Sequence, residues 1–364
     1  MAEFDIAIIG AGMAGASLAA ECAEYGKVLL LEAEDVPGYH TTGRSAAFWE
    51  ECYGGPEIVP LTLASGAFLR KHGFLTPRGA LYVARQASLG ALDDFMQRFS
   101  DTGATIERIG RERLAAMLPG LRDDWAGAVW EPLCSDIDVA GLHQHYLGQG
   151  RRRGVLLQCR ARIVSVLRED GQWRLRAEDG RDWTATTLVN AAGAWADTMA
   201  DMAGAQPIGI QPLRRTVAQL VTEPSPKADQ PLVLDIEGKF YFKPEAGKLW
   251  LSPHDEVPSP PCDAAPEELA VAEAIDRFQS VLDWRVRKVE HKWAGLRSFA
   301  PDRLPVYGWD PDTRGFFWFA GQGGFGIQTA PAAARLGARL LLGLPRDELT
   351  RDVDEALYTP ARFR

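Results

Sequence analysis

The sequence is short of the features that mark secreted, membrane-spanning and nucleic-acid-binding proteins. Its 364 residues include only five cysteines, Cys22, Cys52, Cys134, Cys159 and Cys262, widely spaced and never arranged as C-x-x-C. That pattern excludes a disulfide scaffold and a cysteine-based zinc site, and fits a reducing compartment. No stretch approaches the roughly 18 apolar residues a membrane span requires, and no basic segment precedes the apolar opening, so a soluble, cytoplasmic protein is expected. Arg335 to Leu344 is apolar on one face, but its length and its two arginines, Arg335 and Arg339, fit an amphipathic helix packed on a core. Positive charge is also in deficit, with 40 Lys and Arg against 49 Asp and Glu and a net charge of -9. A sequence-independent grip on nucleic acid needs clustered cations, so nucleic-acid partners are not expected. The basic run Arg151 to Arg153 reads as a helix end, where cations offset the dipole. His143 and His145, two apart, would fall on different faces of a helix, and no metal site is expected.

What is present begins at the N-terminus. Phe4 to Ile9 is an apolar run ending at Gly10, an Ala-rich segment runs from Met13 to Tyr25, and a second apolar run spans Val28 to Leu31. This reads as strand, helix, strand, with too little polar alternation for a half-exposed sheet. Gly10-Ala-Gly-Met-Ala-Gly15 matches G-x-G-x-x-G between the first strand and the helix, and Glu32 follows at the end of the second strand. That spacing is a dinucleotide fingerprint: Gly10 for the tight turn, Gly12 for approach to a pyrophosphate, Gly15 for helix-to-strand packing, and Glu32 for ribose hydroxyls. Met13, Ala14 and Ala33 lie in the same two turns and share the site.

Beyond residue 75 the texture is mixed, with a strand at Leu81 to Val83, helices at Ser88 to Ser100 and Arg111 to Leu118, and a strand at Ala128 to Glu131. Ile163 to Leu167, Trp173 to Ala177 and Trp183 to Leu188 form a short meander. Strands are expected at Arg214 to Val221, Phe240 to Pro244 and Leu249 to Ser252, then a proline-rich connector and a helix from Glu267 to Leu282. Phe316 to Ala320 is strand-like and runs into Gly321-Gln-Gly-Gly-Phe-Gly326 and a closing helix. That second glycine motif lacks a following strand with an acidic end, so it is not read as a nicotinamide site.

Four segments carry a family resemblance: Pro37-Gly-Tyr-His-Thr-Thr-Gly-Arg-Ser-Ala-Ala47, Leu188-Val-Asn-Ala-Ala-Gly-Ala-Trp195, Trp293-Ala-Gly-Leu-Arg-Ser-Phe299 and Gly321 to Thr329. In that order, over nearly the whole chain, they resemble the D-amino acid oxidase superfamily of flavoenzymes, and within it the bacterial D-arginine dehydrogenases. The resemblance implies an α/β FAD-binding doubly wound domain, Rossmann-like and of the glutathione-reductase type, with a second α+β substrate domain built from insertions. Residues 1–75, 136–205 and 288–364 are assigned to the first, and 76–135 and 206–287 to the second. It further implies noncovalent FAD, with Thr42, Gly43, Arg44, Ser45, Ala46 and Ala47 along the pyrophosphate and flavin, and Ile163 at the adenine. Ala192, Gly193 and Trp195 belong beside the pyrophosphate, and Gly323, Gly324, Phe325, Gly326, Ile327 and Gln328 at the flavin. Small side chains and backbone N–H groups permit that close approach. The glycines are also expected to bring a helix N-terminus to the flavin pyrimidine edge, where it would stabilise negative charge.

The same resemblance maps a substrate carboxylate clamp onto Arg297, which also borders the flavin, with Arg215 and Tyr241 as partners. A guanidinium fork matches a carboxylate with parallel hydrogen bonds. Arg214 and Arg215 are adjacent on a strand, so one of them points inward, and the resemblance selects Arg215. Tyr53, at the end of a Ser45 to Gly55 stretch read as a lid, and Gln322 complete the site; Trp49 in that stretch is left between lid and core. The implied reaction is oxidative deamination of a D-amino acid, with a small-molecule substrate and either oxygen or a respiratory carrier as acceptor. A glycine or N-methylamino acid oxidase and a nicotinamide-dependent dehydrogenase stay open as alternatives. Ala80 and Phe48 stand where arginine-specific relatives carry a glutamate and a histidine, so an apolar or aromatic side-chain preference is expected, with Glu50 or Glu51 able to restore an acidic partner.

Overall fold

The computed structural model describes residues 3–364. Strand Phe4–Ile9, buried except at Asp5, lies between Val28–Leu31 and Asp182–Asn190 and runs parallel to both. Leu156–Gln158 extends this parallel array beyond Val28–Leu31, and Phe316–Ala320 extends it beyond the C-terminal half of Asp182–Asn190. The N-terminal half of that long strand pairs instead with the antiparallel meander Ile163–Glu169 and Gln172–Ala177. Apolar side chains on both faces of the parallel strands enter separate cores, one of them covered by helices Met13–Cys22 and Ala330–Leu342. This is the doubly wound arrangement expected of the apolar runs.

A second, larger sheet is almost entirely antiparallel. In order it contains Gln322–Gly323, Arg285–Phe299, Gln211–Glu223, Lys248–Ser252, Tyr241–Glu245, Leu232–Asp235, Ala80–Arg85, Trp125–Glu131 and Glu107–Gly110, with Val257–Pro258 beside Gln211–Glu223. Helices Leu89–Phe99, Arg111–Met117 and Glu268–Val281 pack on it. Together the two sheets form a two-domain arrangement, one doubly wound and one mainly antiparallel.

The boundary expected between residues 287 and 288 falls inside one strand. Arg285–Phe299 pairs with Gln211–Glu223 along nearly its whole length, so the strand carrying Arg297 belongs to the large sheet throughout. The closing helix also starts later than expected, at Ala330, after a turn from residues 324 to 329. The glycine motif therefore presents turn backbone to its surroundings, and a helix N-terminus does not touch it directly. Arg151 and Arg152 occupy the last turn of helix Val139–Arg152.

Candidate active site

A cleft of about 330 Å³ runs from the glycine-rich turn to the large sheet. Its lining reaches from Gly10 and Gly12 at the first turn to Arg215 and Arg297 on the large sheet, so a nucleotide end and a substrate end are continuous.

The nucleotide end is built from backbone constraints. Gly10 has φ of 99°, and a Cβ there would lie 2.5 Å from the Ala191 carbonyl oxygen. A Cβ on Gly15 would lie 1.8 Å from the carbonyl oxygen of Gly10, so the helix can pack this closely on the turn only with glycine. Glu32 Oε2 accepts from the Ala11 N–H at 2.9 Å and Oε1 from the Glu34 N–H at 3.0 Å, which fixes the carboxylate at the cleft wall with lone pairs to spare. Thr42 Oγ1 accepts from the Met13 N–H at 3.0 Å, tying the 37–47 segment to the helix start. His143, for which the sequence argues only against a metal site, supports the turn, its ring nitrogen 2.9 Å from the Ala11 carbonyl. Burial lowers its pKa, which favours the neutral ring that donates there. Gly12, Met13, Ala14, Ala33, Ile163, Ala192, Gly193 and Trp195 line the same end. A tight glycine turn, a helix start and a fixed carboxylate form a cradle that fits the adenosine and pyrophosphate of FAD.

Ser45, Ala46 and Ala47 continue the wall, as does Arg44, whose guanidinium turns away to Asp263 and to the carbonyls of Ala264 and Ala294. Gln322, Gly323, Gly324, Gly326 and Ile327 face them. Gly43 does not reach the wall; its N–H closes a turn onto the Gly38 carbonyl at 2.8 Å. Phe325 is buried edge-on against Tyr53 and Phe299. Gln328 is buried as well, its amide bonded to the backbone of Glu50 and to Thr62 Oγ1. Trp49 belongs to the core, its indole N–H donating to the Thr62 carbonyl at 2.9 Å. The Ser45 to Gly55 stretch is thus pinned through Trp49 and Gln328, while Phe48 and Tyr53 face the cleft.

The substrate end follows from strand register. Arg215 lies opposite Gly295, and Arg297 opposite Leu213, so Arg215 and Arg297 share one face of the sheet as diagonal neighbours. Arg214 points to the other face, where it meets Glu267 and Asp255. Arg215 and Arg297 each donate to Glu256 Oε1, at 3.3 and 2.9 Å, and Arg303 donates to it at 2.9 Å. Glu256, absent from the sequence expectations, thus places a carboxylate of the chain itself between the two site arginines. Four guanidiniums, of Arg214, Arg215, Arg297 and Arg303, stand against the carboxylates of Asp255, Glu256 and Glu267, leaving one positive charge.

Arg297 also donates to the Tyr53 hydroxyl oxygen, which frees the phenolic hydrogen for another acceptor. Arg297 Nε is buried with no partner among the described residues. Desolvation by burial, opposed by the nearby Arg215 guanidinium, pushes both Tyr53 and Tyr241 up to about 12. At neutral pH each keeps its proton and acts as a donor. Ala80 is 0 % exposed and outside the cleft wall, paired with Leu232 and Glu131 inside the large sheet. It touches no substrate space, so the apolar preference expected from it has no contact to rest on.

The family model described as DAO, FAD dependent oxidoreductase, matches residues 5–340. The hydrogen cyanide synthase subunit HcnC of Pseudomonas aeruginosa is 24% identical, over 99% of this chain and 96% of that protein. Among solved structures, glycine oxidase from Geobacillus kaustophilus superposes with a TM-score of 0.86 at 20% identity, covering 100% of this chain and 99% of the other. L-proline dehydrogenase from P. horikoshii superposes with a TM-score of 0.83 at 20% identity, covering 99% and 97%.

Proposed function

Because the chain belongs to the DAO family of FAD dependent oxidoreductases, we propose that it oxidises the C–N bond of an amino acid whose carboxylate is held by Arg297, Arg215 and Tyr53. The observation that carries this reading is the Glu256 carboxylate seated between Arg215 and Arg297. Those arginines, with Tyr53 bonded to Arg297, are already arranged to receive a carboxylate.

FAD, when bound, supplies the acceptor for the hydride that leaves the substrate Cα. The chain's own residues hold the carboxylate, and so fix where the Cα–H bond points. Tyr53 and Tyr241 keep their phenolic protons; with their hydroxyls pushed up to about 12, neither is suited to take the proton that the substrate ammonium must lose. The imino acid then hydrolyses in solution to a 2-oxo acid and ammonia.

D-amino acids are the substrate class favoured by the resemblance of Pro37 to Ala47 and its companion segments to that branch. A glycine-type substrate is the second reading, favoured by the fold similarity to glycine oxidase. Incubation of purified protein with D-alanine, L-alanine, glycine and sarcosine, followed by assay of the 2-oxo acid or glyoxylate and of the released amine, separates them. D-alanine should give pyruvate and ammonia; formation from L-alanine alone, or glyoxylate from glycine or sarcosine alone, overturns the D assignment.

Two variants probe the clamp. Tyr53→Phe removes a donor to a charged acceptor and should lower kcat/KM by about tenfold or more. Glu256→Gln removes the internal carboxylate that competes for Arg297 and Arg215, and should lower KM roughly threefold, a modest change in charge complementarity. Steady-state kinetics check both; an increased KM in Glu256→Gln would make Glu256 a support for the arginines and not a competitor.

A further inference from the structure

An acid pair beside Tyr53 is not used by the carboxylate clamp. Glu50 lines the cleft although it is only 2 % exposed, and its Oε1 has no hydrogen-bond partner among the described residues. Its backbone is held on both sides by Gln328, which accepts from the Glu50 N–H at 3.2 Å and donates to the Glu50 carbonyl at 3.1 Å. The position is therefore rigid. Glu131, next to Glu50 and paired with Ala80 in the large sheet, is 0 % exposed. Its Oε1 accepts from the Glu51 N–H at 2.6 Å, while Oε2 also lacks a partner among the described residues.

Two desolvated carboxyls side by side, each with a free oxygen, are complementary to a positive charge. The titratable groups Glu51, Cys52, Tyr53 and Cys134 around them are acids, and the cations of that neighbourhood are engaged elsewhere: Arg78 and Lys243 with Asp136, Arg215 with Glu256, and Arg70 over the Trp49 ring. Phe48, Leu234 and Tyr241 line the cleft close by and offer an apolar wall for a methylene stem.

We propose that Glu50, backed by Glu131, determines specificity by receiving a cationic group, an ammonium or a guanidinium, at the far end of the substrate side chain. The inference rests on the amino acid reading above, in which Arg297 and Arg215 hold the other end. Burial raises both carboxyls, Glu131 to about 8, and a neighbouring acid adds repulsion to each, Glu131 to Glu50 and Glu51 to Glu131, which favours the protonated forms while the pair is empty. An arriving cation stabilises the ionised form, and Glu50 gives up its proton to solvent as the pair forms.

Lysine and norleucine test this, each as the D and the L isomer, because they share a stem and differ in the terminal ammonium. For whichever enantiomer is oxidised, kcat/KM should favour lysine by roughly tenfold or more, and Glu50→Gln should bring the ratio close to one. A wild-type enzyme that uses norleucine at least as well as lysine overturns the proposal, and so does a Glu50→Gln variant that keeps the lysine preference. If Glu50→Gln does not fold, the wild-type ratio decides alone. Oxidation of norleucine without a lysine advantage refutes only the role of Glu50. Failure of lysine, norleucine, alanine and glycine alike to reduce the flavin refutes the amino acid reading as well.

Discussion

Arg297→Ala should lower kcat/KM for amino acid substrates by about a hundredfold while leaving the bound flavin in place. The side chain is buried on the face of the large sheet that looks into the cleft, and it engages Tyr53 and Glu256 at once. Truncation removes one half of the guanidinium pair and leaves Tyr53 without its positioning contact. A charge-assisted hydrogen-bond pair at such a site is worth roughly 3 kcal/mol, which corresponds to that hundredfold loss. Lysine should rescue little, because a single ammonium cannot reproduce the planar fork. Full retention of steady-state kinetics in Arg297→Ala would remove Arg297 from the clamp.

Gly15→Ala should abolish flavin retention. The added methyl would sit 1.8 Å from the Gly10 carbonyl oxygen, and the obstruction is backbone that no side-chain rotation relieves. Helix Met13–Cys22 would have to move off the turn, taking with it the first-turn residues Gly12, Met13 and Ala14 that line the cleft. The same substitution at Gly90, inside helix Leu89–Phe99 with nothing within 4 Å of an added Cβ, is the matched control and should keep the flavin. Purification of both variants and the ratio of flavin to protein absorbance decides the matter. A Gly15→Ala protein as yellow as the Gly90→Ala control would refute the role given to that packing.

The parts of the molecule legible in the sequence were those written in local pattern. The Gly10 to Gly15 turn, the helix behind it and the Glu32 carboxylate lie within two dozen residues, and each has a local physical signature. Alternation along a strand also limited Arg214 and Arg215 to opposite faces, and the register puts Arg215 on the cleft side. Long-range pairing was not legible. Residues 285 to 292, Arg-Val-Arg-Lys-Val-Glu-His-Lys, are mostly exposed and too polar to announce a strand, yet they extend the one bearing Arg297. Glu256 sits in an exposed loop, and its partners at 215, 297 and 303 come from three separate segments, so no spacing pointed to it. Ala80 was misplaced for a related reason: alignment fixes a position along a strand, while burial between Leu232 and Glu131 decides whether that position sees the cleft.

The most direct test of the central claim is anaerobic mixing of the purified yellow protein with an amino acid panel while the visible flavin absorbance is followed. The account predicts that the wild-type flavin is bleached by at least one amino acid, and that Arg297→Ala, carrying the same flavin, is bleached far more slowly at equal substrate concentration. A wild-type flavin that dithionite reduces but no amino acid does, or an Arg297→Ala flavin bleached as fast as wild type, would contradict it.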